Sequence, residues 1–135
     1  MSTASKPGQD MIHGIGTDIV AVGRMQRLWE RYGDALAARL LADDERERLA
    51  GQADPARFLA KRFAAKEAAA KAFGTGFRDG LGLRHIAVAN DPLGKPVLRL
   101  DGRAAELAER LGVRDCHLSL SDEADYAVAF VIMTR

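Results

Sequence analysis

The stretch from Phe63 to Gly76, "FAAKEAAAKAFGTG", decides how the rest of the chain is read. Alanine is the strongest helix former and glycine the commonest helix stop, so the run reads as the last turns of a helix ending at Gly74. Upstream, Asp54 followed by Pro55 fits an N-cap and a first helical position, which opens that helix and carries it through to Phe73. At about 100° per residue Leu59, Phe63 and Ala70 define its apolar face, and Glu67 falls beside Phe63 and Gly74 rather than opposite them. On spacing alone the expected role of Glu67 is an i,i+4 ion pair with Lys71, worth roughly 0.2–0.5 kcal/mol on an exposed helix.

Toward the N-terminus, "MIHGIGTDIV" reads as a short strand in which Asp18 shares a face with Gly14 and Gly16. Two residues without side chains leave the space before the carboxylate empty; the alternative is that Gly-x-Gly serves close backbone packing and Asp18 caps the following helix. That helix is expected from Val22 to about Leu41, with Val22, Met25, Trp29, Tyr32 and Leu36 on one stripe. Arg24, Arg27 and Arg31 lie in a narrow sector beside Met25, Leu28 and Tyr32, which by itself describes a solvated basic face. A charged helix over "DDERERLA" follows. Residues 1–10, "MSTASKPGQD", read as a flexible tail, so the domain is expected over 11–135.

Beyond Gly76, "LRHIAVA" and "KPVLRL" read as a hairpin joined by the turn formers of Asn90 to Gly94. A helix over "RAAELAERLG" stops at Gly112. Two further strands, "CHLSLS" and "YAVAFVIM", flank the acidic turn Asp122 to Asp125. Alternation puts Cys116, Leu118 and Leu120 on one face and His117, Ser119 and Ser121 on the other, so Cys116 and His117 point apart and do not form a nucleophile pair. The last strand is apolar on both faces, as a strand covered on both sides would be. Helices mixed with hairpin-like strands indicate an α+β domain, an antiparallel-rich sheet packed with a long helix.

Composition supports one domain. The chain has 135 residues, 47% of them hydrophobic and 29% charged, and a formal net charge of +1, which marks neither a dedicated nucleic-acid binder nor a membrane-surface binder. One cysteine allows no internal disulfide, and no apolar stretch is long enough to cross a bilayer, so a cytoplasmic location is expected.

The set "GIGTDIV", "RFAAKEAAAKAFGTG", "DPLGKP" and "HLSLS", in this order and at these separations, resembles the holo-acyl-carrier-protein synthase family, the small bacterial 4'-phosphopantetheinyl transferases. The match covers essentially Met11 to Met133. The resemblance implies transfer of the 4'-phosphopantetheine arm of coenzyme A to a serine of an apo acyl carrier protein, leaving adenosine 3',5'-bisphosphate. It implies Asp18 and Glu67 as ligands of Mg2+, a cation that takes one or two carboxylates and completes its shell with water and substrate phosphates. Glu67 and Lys71 would be catalytic, with Lys71 approaching the phosphates and Gly74 and Gly76 letting backbone come close to coenzyme A. Arg62, Gly94, Pro96 and His117 are further candidates for the nucleotide end. Arg24, Arg27 and Arg31 would dock the acidic carrier.

Family members are usually homotrimers with sites between subunits. In many of them the serine-containing strand ends in a second histidine; here Asp122 stands at that position, where an inward carboxylate would repel phosphate. The other classes compatible with the residues are a catalytically silent carrier-binding homologue and a metal-dependent nucleotide hydrolase. The presence of both Asp18 and Glu67 counts against the first, and incubation with coenzyme A in the absence of carrier separates the second.

Overall fold

The computed structural model describes residues 11–135; the tail expected over residues 1–10 lies outside the described residues. Strand β1 (Ile12–Ala21) runs into α1 (Val22–Tyr32), α2 (Asp34–Leu40), α3 (Asp43–Leu49) and the long α4 (Pro55–Phe73). A single 3-10 turn (Leu83–His85) leads to β2 (Ile86–Asn90) and β3 (Pro96–Leu100), followed by α5 (Gly102–Leu111), β4 (Asp115–Asp122) and β5 (Tyr126–Thr134). Strands β1, β5 and β4 form an antiparallel sheet in that order, and β2 and β3 form a separate hairpin. The α+β expectation holds.

Helix α4 begins and ends where its punctuation predicts. The Asp54 carboxylate accepts from the Arg57 amide at 3.1 Å, Pro55 is the first helical residue, and Gly74 closes the helix in the left-handed region at φ 92°. The helix lies along the inner face of the sheet, with Ala64, Ala65, Ala68 and Ala69 wholly buried against strand residues that include Ala127, Ala129, Val131 and Met133. These β5 residues alternate with Tyr126, Val128, Phe130 and Ile132, which face away from the helix.

Two expectations are corrected. The helix foreseen from Val22 to Leu41 is two helices, because Gly33 adopts φ 49° and ψ −124°, a conformation that ends α1 and lets α2 start on a new axis at Asp34. The space that Gly14 and Gly16 leave beside Asp18 is not empty either. A Cβ on Gly16 would stand 1.9 Å from the Ala68 carbonyl oxygen, and one on Gly14 equally close to that of Ala72, so the glycines exist to let α4 backbone lie directly on β1. Asp18 does not cap α1, whose N-cap residue is Ala21 and carries no side-chain cap.

Candidate functional site

The contact between β1 and α4 brings the two singled-out carboxylates together. Asp18 follows Gly16 by one strand repeat, and Glu67 precedes Ala68, the residue that Gly16 touches. Both line one cavity of about 510 Å³ between β1, α1, α2 and α4, whose other walls include Arg24, Met25, Leu28 and Phe63. Glu67 is half-buried, and its carboxyl is held above the usual carboxylate range, first by desolvation and then by the nearby Asp18 charge, with Lys71 opposing.

Lys71 does not pair with Glu67 as spacing suggested. Its Nζ donates to Asp18 Oδ1 at 3.1 Å and to the Thr17 carbonyl at 2.9 Å, so the ammonium joins α4 to β1 at the cavity's edge, where it is half-exposed. The charged donors are carboxylate oxygens, with no thiol or imidazole among the cavity-lining residues. Among the described residues no group of three or more His, Cys, Asp or Glu is gathered for a metal. Two carboxylates facing one space, unneutralised by each other and open to further ligands, suit a hard divalent cation that takes its remaining ligands from water and phosphate.

Gly74 and Gly76 follow Lys71 at the end of α4, at φ 92° and 64°, and nothing lies within 4 Å of where their Cβ atoms would stand. Arg24, Arg27 and Arg31 are all exposed on α1; Arg31 stacks over Tyr32 at 5.4 Å, and Arg24 also borders the cavity. The remaining candidates sit elsewhere. Gly94 is in the β2–β3 turn, which Asp91 Oδ1 organises by accepting from the Leu93 and Lys95 amides, and Pro96 opens β3. His117 is exposed on the sheet face turned away from α4, opposite Ile132. Cys116 packs inward as expected, and burial, with the Asp115 charge adding to it, pushes its thiol up to about 11, which removes it as a nucleophile at neutral pH.

Arg62 is not free to reach the cavity. It is nearly buried, stacks on Phe58 at 3.9 Å from the ring centroid, and sets Nε 3.3 Å from Glu45 Oε2. Sequence reasoning missed Glu45 and Lys66 altogether, although Glu45 shares a helix face with Leu49, and Lys66 shares one with Arg62 and Phe73. Asp122 also finds unforeseen partners: Arg57 Nη1 at 3.2 Å and Lys61 Nζ at 3.4 Å, while Arg57 donates as well to the carbonyls of Glu123 and Ala124. It is neutralised as a latch between α4 and the β4–β5 turn.

The family profile described as 4'-phosphopantetheinyl transferase superfamily matches residues 14–131. A holo-[acyl-carrier-protein] synthase of Yersinia pestis is 56% identical over 122 residues, covering 90% of this chain and 97% of the relative. Among solved structures, the holo-[acyl-carrier-protein] synthase of Neisseria meningitidis superposes with a TM-score of 0.87 at 44% identity, covering 93% of this chain and 100% of that one. The Bacillus anthracis holo-(acyl-carrier-protein) synthase in complex with CoA (3',5'-ADP) gives 0.76 at 34% identity, covering 92% and 97%. The chain belongs to the 4'-phosphopantetheinyl transferase superfamily and, within it, to the holo-acyl-carrier-protein synthase family.

Proposed function

We propose that this chain transfers the 4'-phosphopantetheine arm of coenzyme A to a serine of apo acyl carrier protein, and that Asp18, Glu67 and Lys71 carry the reaction. The observation behind the site assignment is the shared cavity of the two carboxylates with a lysine at its edge. Asp18 and Glu67 would hold Mg2+, which supplies charge neutralisation to the pyrophosphate when bound. Lys71 offers its half-exposed ammonium to the phosphates. Glu67, held above the ordinary carboxylate range, accepts the serine proton; the serine oxygen–phosphorus bond forms as the bond from phosphorus to the departing adenosine 3',5'-bisphosphate breaks. The left-handed turn at Gly74 and Gly76 leaves backbone open to the cofactor. The transferase domain is residues 11–135, and its single cysteine suits a reducing cytoplasm.

The assembly is a homotrimer with sites completed between subunits. What supports this is the outer face of the three-stranded sheet: Ile15 and Ile19 of β1 are 53% and 61% exposed and Phe130 of β5 is 42% exposed, an apolar surface of the kind a partner covers. His117 stands on that same face, so a neighbouring copy would carry it to a cofactor that it cannot reach within its own chain. Mass spectrometry of apo carrier mixed with coenzyme A, Mg2+ and this protein tests the reaction: the carrier gains the arm, whereas hydrolysis of coenzyme A without carrier would favour the hydrolase.

The carrier docks on α1. Arg24, Arg27 and Arg31 are exposed and make no ion pair among the described residues, and the half-buried Leu28 and exposed Tyr32 lie beside them. Because Arg24 borders the cavity, the clean test reverses Arg27 and Arg31 to Glu. At low salt the carrier KM is expected to rise by about tenfold or more and to lose its salt dependence, since steering by exposed charge acts on encounter and is screened, while the coenzyme A KM stays nearly constant. An unchanged carrier KM would leave the three arginines as a solvated stripe.

A further inference from the structure

The chain buries two cations beside one carboxylate. Lys66 is fully buried and Glu45 is 1% exposed; Lys66 Nζ donates to Glu45 Oε1 at 2.6 Å and to the Leu83 carbonyl at 3.0 Å. Glu45 is itself fixed by backbone amides, accepting from Ala42 at 2.9 Å on Oε1 and from Val88 at 3.1 Å on Oε2, with Arg62 on its other side. One ion pair therefore ties the middle of α4 to the start of α3, to β2 and to the 3-10 turn. Burial pushes the Lys66 ammonium down and Glu45 holds against it.

The cost of burying such charges is rarely returned as stability, so the pair calls for another account. From residue 64 to 72 every buried residue of α4 except Lys66 is alanine. Methyl groups let the helix lie on Gly14 and Gly16 but present little relief, so over this stretch resistance to turning about the axis falls to side chains outside the alanine face, the exposed Lys71 and Arg57 contacts, the bulky Phe58, Leu59 and Phe73 toward the helix ends, and the buried Lys66 in its middle. Glu67 is the next residue, about 100° around the helix. A turn of about 20° would displace a carboxylate roughly 6 Å from the axis by about 2 Å, and misplacement of about 1 Å can cost a hundredfold in rate. We propose that the Glu45–Lys66 pair is a positioning device that fixes the rotation of α4 and so aims Glu67 at Asp18. The inference rests on the metal-site reading given above.

Lys66→Met tests it with least collateral damage, because Met has similar length and the change leaves Glu45 paired one to one with Arg62. Glu45→Asp is the second variant; it keeps every charge and withdraws the carboxylate by one methylene. Mn2+ serves as the probe, its binding read by electron paramagnetic resonance without substrates, alongside thermal unfolding and steady-state transfer. In folded protein, Lys66→Met is expected to bind Mn2+ at least tenfold more weakly and to lose about a hundredfold in kcat, with the coenzyme A KM changing far less. Glu45→Asp should show the same pattern to a smaller degree. A merely structural pair would lower the unfolding temperature and leave the Mn2+ affinity of the folded protein untouched. Wild-type Mn2+ affinity and kcat in Lys66→Met overturn the proposal, and in Glu45→Asp they overturn it should Lys66→Met fail to fold. If wild-type protein binds no Mn2+ that Asp18→Asn or Glu67→Gln removes, the metal reading falls and this inference with it.

Discussion

Replacing Asp18 by Asn or Glu67 by Gln is expected to slow transfer of the phosphopantetheine arm by more than about a hundredfold in each case, with the fold intact. Loss of groups that merely orient a metal's ligands typically costs 10–100-fold, and removal of one of the two charged ligands themselves should exceed that. Both substitutions preserve size, and the ion pair that Asp18 gives up is a partly exposed one with Lys71, worth little to stability. For Glu67 the expected stability change even has the opposite sign to the activity change. Its folded carboxyl titrates above its unfolded value, so ionising it disfavours the fold; this penalty is absent below about pH 4.5 and complete above the raised folded value. Glu67→Gln removes the titration, and thermal scans should show it at least as stable as wild type at neutral pH, with any advantage shrinking on acidification. Transfer rates measured at limiting Mg2+ decide the catalytic half. Near wild-type rates in both variants would dissolve the two-carboxylate site.

The second large effect is structural. Gly16→Ala would place a methyl carbon 1.9 Å from the Ala68 carbonyl oxygen and 2.8 Å from the Ala72 amide nitrogen, and neither can yield without moving the helix. Overpacking commonly costs 1–3 kcal/mol, and a clash with backbone belongs at or beyond the upper end, about 3 kcal/mol or more. For a domain of this size that lowers the unfolding midpoint by roughly 10 °C. Gly23→Ala in α1 supplies the comparison: the position is helical, and the nearest neighbour of a Cβ there is the tip of Arg27 at 3.8 Å, so the change should be neutral or stabilising by up to about 1 kcal/mol. Equal midpoints for the two alanine variants would contradict the close packing of β1 on α4.

The parts of this molecule that could be read from its sequence are those decided within a few residues. Asp54, Pro55 and Gly74 delimit α4 through local capping, and the alternation of Cys116 to Ser121 follows from the period of a strand, so both emerged as expected. Gly33 was legible in principle, but a single glycine inside an apolar stripe does not announce that it will take a positive φ. The Gly-x-Gly of β1 was given two readings, and only the partner strand or helix could choose between them; that partner is more than fifty residues away. Distance along the chain also hid Lys71's preference for Asp18 over Glu67, Arg62's burial beside Glu45, and the capture of Asp122 by Arg57 and Lys61. In each case an ion-pair partner nearby in sequence, or none at all, was the natural expectation, and the fold supplied a remote one.

The strand order β1-β5-β4 carries a consequence for how the enzyme comes into being. The sheet's middle strand comes last of the five described strands, and it bonds to the first: Thr17 Oγ1 donates to the carbonyl of Ala129, 112 residues further along the chain. Until that closing strand is present, β1 has no strand to pair with, and Asp18 is held only by what α4 alone can offer. Chains whose key contacts span such separations fold more slowly than those built from neighbouring segments. A ribosome adding about 5–20 residues per second would thus expose a chain whose helices can form early, while β1, which bears Asp18, gains its strand partner only after β5 (Tyr126–Thr134) has been made. Nascent chains stalled before Tyr126 should be inert, and activity should appear as a single late event rather than grow with chain length.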